Sequence, residues 1–120
     1  MIQQILNQNN KVIYQCEVSD NSTVPLRDAL LQAVSENVNL TGAYLANQDF
    51  EDINLSGAIL SNVNFFESTL VGANFSYCIL NGANFNRADL RGSIFSNTNI
   101  DNATFVESIF DQDDNNITPV

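Results

Sequence analysis

The stretch VGANFSYCILNGANFNRADL, Val71–Leu90, decides the fold. Its pair Asn81-Gly82 lies between apolar residues and, alone, reads as a tight β-hairpin turn. Yet Gly-Ala-Asn-Phe occurs in it twice, at Gly72–Phe75 and Gly82–Phe85. The pair therefore belongs to something that recurs along the chain.

Outward from this stretch, every fifth residue is large and apolar: Leu40, Leu45, Phe50, Leu55, Leu60, Phe65, Leu70, Phe75, Leu80, Phe85, Leu90, Phe95, Ile100, Phe105 and Phe110. Two residues before each stands a small or slim side chain, from Val38, Ala43, Ile53 and Ala58 to Ala103 and Ser108; only Gln48 breaks that column. A period of five matches neither the helical 3.6 nor the strand's 2, so the chain must turn a corner every five residues. Four such sides complete a square turn of twenty residues, with the large and small columns pointing inward. The residue before each large one then faces outward and is mostly polar: Asn39, Asp49, Asn54, Asn64, Asn74, Asn84, Asp89 and Asn99. Gly42, Gly57, Gly72, Gly82 and Gly92 recur two residues after a large one, where a corner needs a permissive backbone.

The segments LTGAYL, LSGAIL, LVGANF, LNGANF and FNRADL resemble the pentapeptide-repeat family, whose motif is Ala, Asp or Asn, Leu or Phe, then two variable positions. The match covers roughly residues 38–112. The resemblance implies an all-β solenoid, a right-handed quadrilateral β-helix with backbone hydrogen bonds between stacked coils. Fifteen units at four per turn give between three and four coils, about 18 Å tall at the spacing of hydrogen-bonded strands. Residues twenty apart should stack. Glu67, Arg87 and Glu107 then form an ion-pair column, Ser56, Ser76 and Ser96 another, and Ile59 lies over Ile79.

An open solenoid end shows core side chains and unpaired backbone, and residues 1–37 are expected to cover one end. KVIYQCEV reads as a strand with Val12, Tyr14 and Cys16 on one face and Ile13, Gln15 and Glu17 on the other, paired with QQIL across NQNN. STVPLRDALLQAVSEN reads as a helix starting near Ser22 or Thr23. Pro25 sits in its first turn, and Leu26, Ala29, Leu30, Ala33 and Val34 lie on the side facing the first coil. Gln48 is expected to hydrogen-bond to this cap. Residues 38–112 form the β-helix and 113–120 a flexible acidic tail, all within one structural domain. The carboxyl end of the coil is then either closed by a second chain stacking on Ile100, Phe105 and Phe110 by two-fold symmetry, or covered by the tail as a lid.

Composition narrows the function. Fourteen acidic and four scattered basic residues, Lys11, Arg27, Arg87 and Arg91, give a net charge of −10, which argues against direct binding to nucleic acid or anionic membranes. No basic start precedes an apolar stretch and no run is long enough to span a membrane, so a soluble, cytoplasmic protein is expected. Cys16 and Cys78 lack metal-ligand spacing and a disulfide-scaffold pattern, and both read as reduced and buried. The NxS/T triplets NLT, NLS, NFS and NAT arise from the repeat itself.

The chain has no His, which removes the usual general base, the Ser-His and Cys-His pairs and the commonest metal ligand. No glycine is followed by Lys-Ser or Lys-Thr as a nucleotide loop requires. Asp111, Asp113 and Asn115 imitate a calcium loop, but Asn116 stands where its glycine belongs. Asp49, Glu51 and Asp52 offer paired carboxylates that read better as solvated. No catalytic residue, cofactor or metal is expected. Ile59, Phe66 and Ile79, with Val71, Tyr77 and Ile94, form a candidate protein-docking patch. The first reading is a non-enzymatic scaffold or interaction module with an unknown protein partner. The second follows from the resemblance: some members of the family mimic duplex DNA in shape and charge and bind type II topoisomerases such as gyrase, giving quinolone resistance. Against this reading, no loop insertion interrupts the register of residues 38–112, and the carboxyl-terminal helix of those members is not expected here. An enzyme using carboxylates on a coil face is a third.

Overall fold

The computed structural model describes residues 1–111. The expected tail, 113–120, lies outside the described residues. The chain opens with an antiparallel hairpin, β1 (Ile2–Leu6) and β2 (Val12–Glu17), followed by one helix, α1 (Pro25–Ser35). Asn7 shapes the hairpin turn: its Oδ1 accepts the backbone N–H of Asn9 at 2.9 Å and of Lys11 at 3.0 Å, an Asx turn. Simple alternation groups Val12 with Tyr14 and Cys16, and the structure corrects that. Ile5 pairs with Tyr14 but Leu6 pairs with Val12, so Ile13 is the extra residue of a bulge. Ile13, Tyr14 and Cys16 all pack against the core, while Val12 is left 46% exposed. Cys16 is thus half-buried at this edge; Cys78 is buried.

Pro25 fits the first turn of α1 because its fixed φ suits a helix and its missing N–H has no intrahelical partner there. No side chain caps the N-cap residue, Val24. Ser22 acts one step outside: its Oγ accepts the Val24 N–H at 3.1 Å, and its hydroxyl donates to the Asp28 carboxylate. At the other end Asn37 turns left-handed at φ +56°. Its N–H reaches the Val34 carbonyl at 3.0 Å and the Val38 N–H reaches that of Ala33 at 3.1 Å, the doubly bonded helix stop. Ala29, Leu30 and Ala33 are buried and belong to the same apolar cluster as Ile5 and Leu40. Hairpin and helix are clasped where Glu36 Oε2 accepts both the Tyr14 hydroxyl (3.0 Å) and the Gln32 amide (2.6 Å).

From Asn39 onward the sheet consists of single parallel bridges, each joining residues twenty apart. Asn39, Ile59, Ile79 and Asn99 form one column, and further columns start at Tyr44, Asp49 and Asn54. The solenoid therefore has no regular strand among the described residues, because corners every five residues leave one ladder position per side. One unit shows the bonding. Leu80 and Gly82 donate to the carbonyls of Asn99 and Asp101, both at 2.8 Å, Asn84 donates back to Val63 at 2.9 Å, and Ala83 closes the corner onto Leu80 at 3.0 Å. All fourteen corners from Gly42 to Glu107 hold their second variable residue at φ between +55° and +77°. Twelve carry the corner-closing bond, the signature of a type II turn. The hairpin extends this ladder: Asn7 bridges Ala43, and the Tyr44 N–H donates to Leu6 at 2.8 Å.

Inside, the large residues from Leu40 to Leu90 are buried to 1% exposure or less, and Phe95 is 5% exposed. Phe65, Phe85 and Phe105 stack in one column at 5.5 and 5.2 Å between ring centroids, and Phe75 and Phe95 in the opposite one at 4.9 Å. Edge contacts such as Phe75–Phe85, at 5.5 Å and 80°, join the two columns, a favoured aromatic geometry. Ile100 and Phe110 are only partly buried.

Candidate interaction surfaces

The ladder and corner bonds satisfy four of the five backbone N–H groups in a unit. The fifth, on the first variable residue, explains the polar column. Each of the eight Asn and Asp residues before a large residue accepts that N–H, two positions on, with its own Oδ1. The distances run from 2.8 Å (Asn84 to Asn86) to 3.3 Å (Asp89 to Arg91). Reading these residues only as outward and polar misses this role; the fixed two-residue offset to a corner amide is the signal that reveals it.

The small column has polar work too. Ser68, Cys78, Thr98 and Ser108 donate to the carbonyls of Leu45, Leu55, Phe75 and Phe85, each 23 residues earlier, at 2.7–2.9 Å. The place of Gln48 in the first coil predicts a bond to the cap, and the structure corrects this. Its amide donates to Ala46 O at 3.3 Å within its own coil, and its backbone N–H donates to Ser68 Oγ at 3.2 Å. The corner from Leu45 to Gln48 lacks its own closing bond, and buried Ser68 bridges both sides of it. Burial pushes the Cys78 thiol up to about 11, against 9.0 for an ordinary one.

Charged groups are distributed along the coil. Asp49 Oδ1 is engaged by the Glu51 N–H, and Asp52 occupies a left-handed corner at φ +59°. Its Oδ1 lies 2.1 Å from where a Cβ on Gly72 would be. Those three carboxylates do not converge. Arg87 sits 3.7 Å from Glu67 with its guanidinium 5.9 Å from the Phe66 ring centre. Glu107 makes no ion pair among the described residues, so the expected column is a pair. Arg91 grips Asp89 at 2.9 and 2.6 Å, which holds the Asp89 carboxyl below the usual range. Asp111 of the calcium-like run spends its Oδ2 on the Gly92 N–H at 2.7 Å. No group of three metal-ligating side chains occurs among the described residues.

The apolar candidates separate. Ile59 and Ile79 are bridged on one face, next to the corner that carries Tyr77, 67% exposed, with Ile79 at 41% and Ile94 at 39%. Phe66 lies two corners away by the five-residue register and is half-buried, so it does not join them. Of the candidate dimer end, Phe105 is 9% exposed, with Ile100 and Phe110 half-buried, while the outward Val106 and Ile109 are 61% and 51% exposed. A cleft of about 250 Å³ separates Thr23–Arg27 from Gln48–Phe50 at the other end.

The profile described as pentapeptide repeats matches residues 39–70 and 68–105, with eight copies. No curated protein matches the chain. Among solved structures, a pentapeptide repeat protein from the Arabidopsis thaliana thylakoid lumen is 31% identical with a TM-score of 0.58, over 58% of this chain and 48% of that one. A pentapeptide repeat protein from the cyanobacterium Cyanothece 51142 is 28% identical with a TM-score of 0.32, over 62% of this chain and 61% of that one. The chain thus spans about half the length of the first and under two thirds of the second.

Proposed function

We propose that this chain, which belongs to the pentapeptide-repeat family, works as a rigid, non-enzymatic module that presents fixed columns of side chains to a protein partner. The observation that carries this reading is the use of the polar column. All eight outward Asn and Asp oxygens of that column are bonded to backbone N–H groups of the corners, so they serve rigidity. No cofactor enters this function. The family's right-handed quadrilateral coil, here of between three and four turns, supplies the frame. The face bearing Ile59 and Ile79, with Tyr77 and Ile94 beside it, is the docking surface.

A second copy belongs to the same proposal. The apolar end at Ile100, Phe105 and Phe110 pairs with its like by two-fold symmetry, since the other end is occupied by hairpin and helix. Sedimentation at micromolar concentration should give twice the chain mass, and a monomer mass overturns the pairing. Both thiols are free, which suits a cytoplasmic location.

The second reading, mimicry of duplex DNA towards a type II topoisomerase, draws on the net charge of −10. Paired tail to tail, the coils reach about 35 Å, a brief imitation. A gyrase supercoiling assay separates the two. Stoichiometric protein should leave supercoiling and quinolone sensitivity unchanged; inhibition or protection from the drug overturns the plain scaffold reading.

A further inference from the structure

We infer that Asn81 is a fold-gated deamidation site, closed while the coils are stacked and reactive when they part. Asn81-Gly82 is the one Asn-Gly step in the chain. In an open chain the glycine nitrogen has no side chain beside it to hinder approach. It attacks Cγ of the asparagine, the N–Cγ bond forms, the Cγ–Nδ2 bond breaks, and ammonia leaves carrying the proton from the glycine nitrogen. Water then opens the cyclic imide at one carbonyl to give aspartate, or at the other to give isoaspartate, in which the main chain runs through Cγ. Water is the only co-reactant.

The folded corner blocks each part of the first step. The Gly82 N–H is engaged by the Asp101 carbonyl at 2.8 Å in the next coil. The Asn81 carbonyl accepts the Asn62 N–H at 2.9 Å from the coil before, and its Oδ1 accepts the Ser61 hydroxyl at 2.7 Å. A type II corner with Gly82 at φ +73° also keeps the first central residue extended, which turns the following nitrogen away from its own side chain. Ring closure needs rotation about that bond, and rotation breaks the ladder on both sides. The reaction therefore waits for local opening of the coils.

The product alters the column. Aspartate at position 81 adds a negative charge one coil from Asp101, twenty residues on. Isoaspartate adds a methylene to the main chain of a corner whose register is five residues. Leu80 can then no longer reach Asn99 while Gly82 reaches Asp101, both at 2.8 Å in the intact coil. An opening that ends in isoaspartate is irreversible.

Incubation in mildly alkaline buffer, with and without denaturant, followed by peptide mass spectrometry, tests this. The gain of about one dalton at Asn81 should be at least about tenfold slower in the native protein, set by the cost of opening. Equal rates overturn the gating. After denaturant is removed, chains carrying isoaspartate should stay out of the native fraction on a sizing column while unmodified chains return to it. Native elution of the isoaspartate chains overturns the irreversible step.

Discussion

Asn84 shows what one side chain contributes to a corner. Its Oδ1 accepts the Asn86 N–H at 2.8 Å, and no carbonyl replaces it. Asn84→Ala should lower unfolding free energy by about 1 kcal/mol, the usual worth of such a bond, and Asn84→Asp, which keeps the acceptor, by clearly less; denaturant melts of both check it. Glycines offer a sharper comparison, because Gly57 and Gly82 have nearly the same positive φ, +77° and +73°. A Cβ on Gly57 meets nothing within 4 Å, whereas one on Gly82 would lie 2.1 Å from Asn62 Oδ1. Both alanine variants carry the left-handed penalty of about 1 kcal/mol, so G82A should be the less stable of the two by the cost of displacing Asn62. Equal melts would mean that Asn62 moves freely. At this scale the sequence is half legible. Size and period identify Phe85 as interior, but nothing in composition says that Asn84 is there for its oxygen. That requires knowing which amide the corner leaves unbonded.

The elements divide along the same line. A strict five-residue period fixes its own register, so the corners and columns can be read off the sequence. Hairpin register depends on pairing, and the bulge at Ile13 follows from contacts between β1 and β2 that alternation alone does not contain. The aromatic columns emerge only when residues twenty apart are stacked. Phe85 lies in the middle, against Phe65, Phe75, Phe95 and Phe105. Phe85→Ala should cost roughly 3 to 5 kcal/mol, read as a drop in denaturant midpoint; a cost below about 1 kcal/mol would show that the coils collapse to fill the gap. Cys78 tests the neighbouring side by pH. Its buried thiol titrates at about 11, against 9.0 when exposed. The folded state therefore favours the protonated form, so the thiol's contribution is complete below pH 9.0 and is lost progressively as pH rises towards 11. Stability measured across that window should fall less steeply in Cys78→Ser, which keeps a donor for the Leu55 carbonyl.

As a whole, the molecule has two unlike ends, and a solenoid's stability is a sum of terms between neighbouring coils. At the first coil the Tyr44 N–H is held by Leu6 of the hairpin at 2.8 Å, and Leu30 of α1 shares the core with Leu40. At the last, the N–H groups of Phe95, Ile100 and Phe105 have no acceptor among the described residues. Among the described residues each inner coil gains from two neighbours and the last from one, so opening should begin at the carboxyl end. Amide exchange would then be slowest at central residues such as Phe65, Leu70 and Leu80, slow also at Tyr44, and fastest along the coil at Phe95, Ile100 and Phe105. The same three amides report on the proposed pairing. If a second copy closes that end, their protection rises with protein concentration while that of Phe65 and Leu80 does not. Protection that is uniform along the coil would refute end-first opening. A gradient that ignores concentration leaves end-first opening standing and removes the second copy.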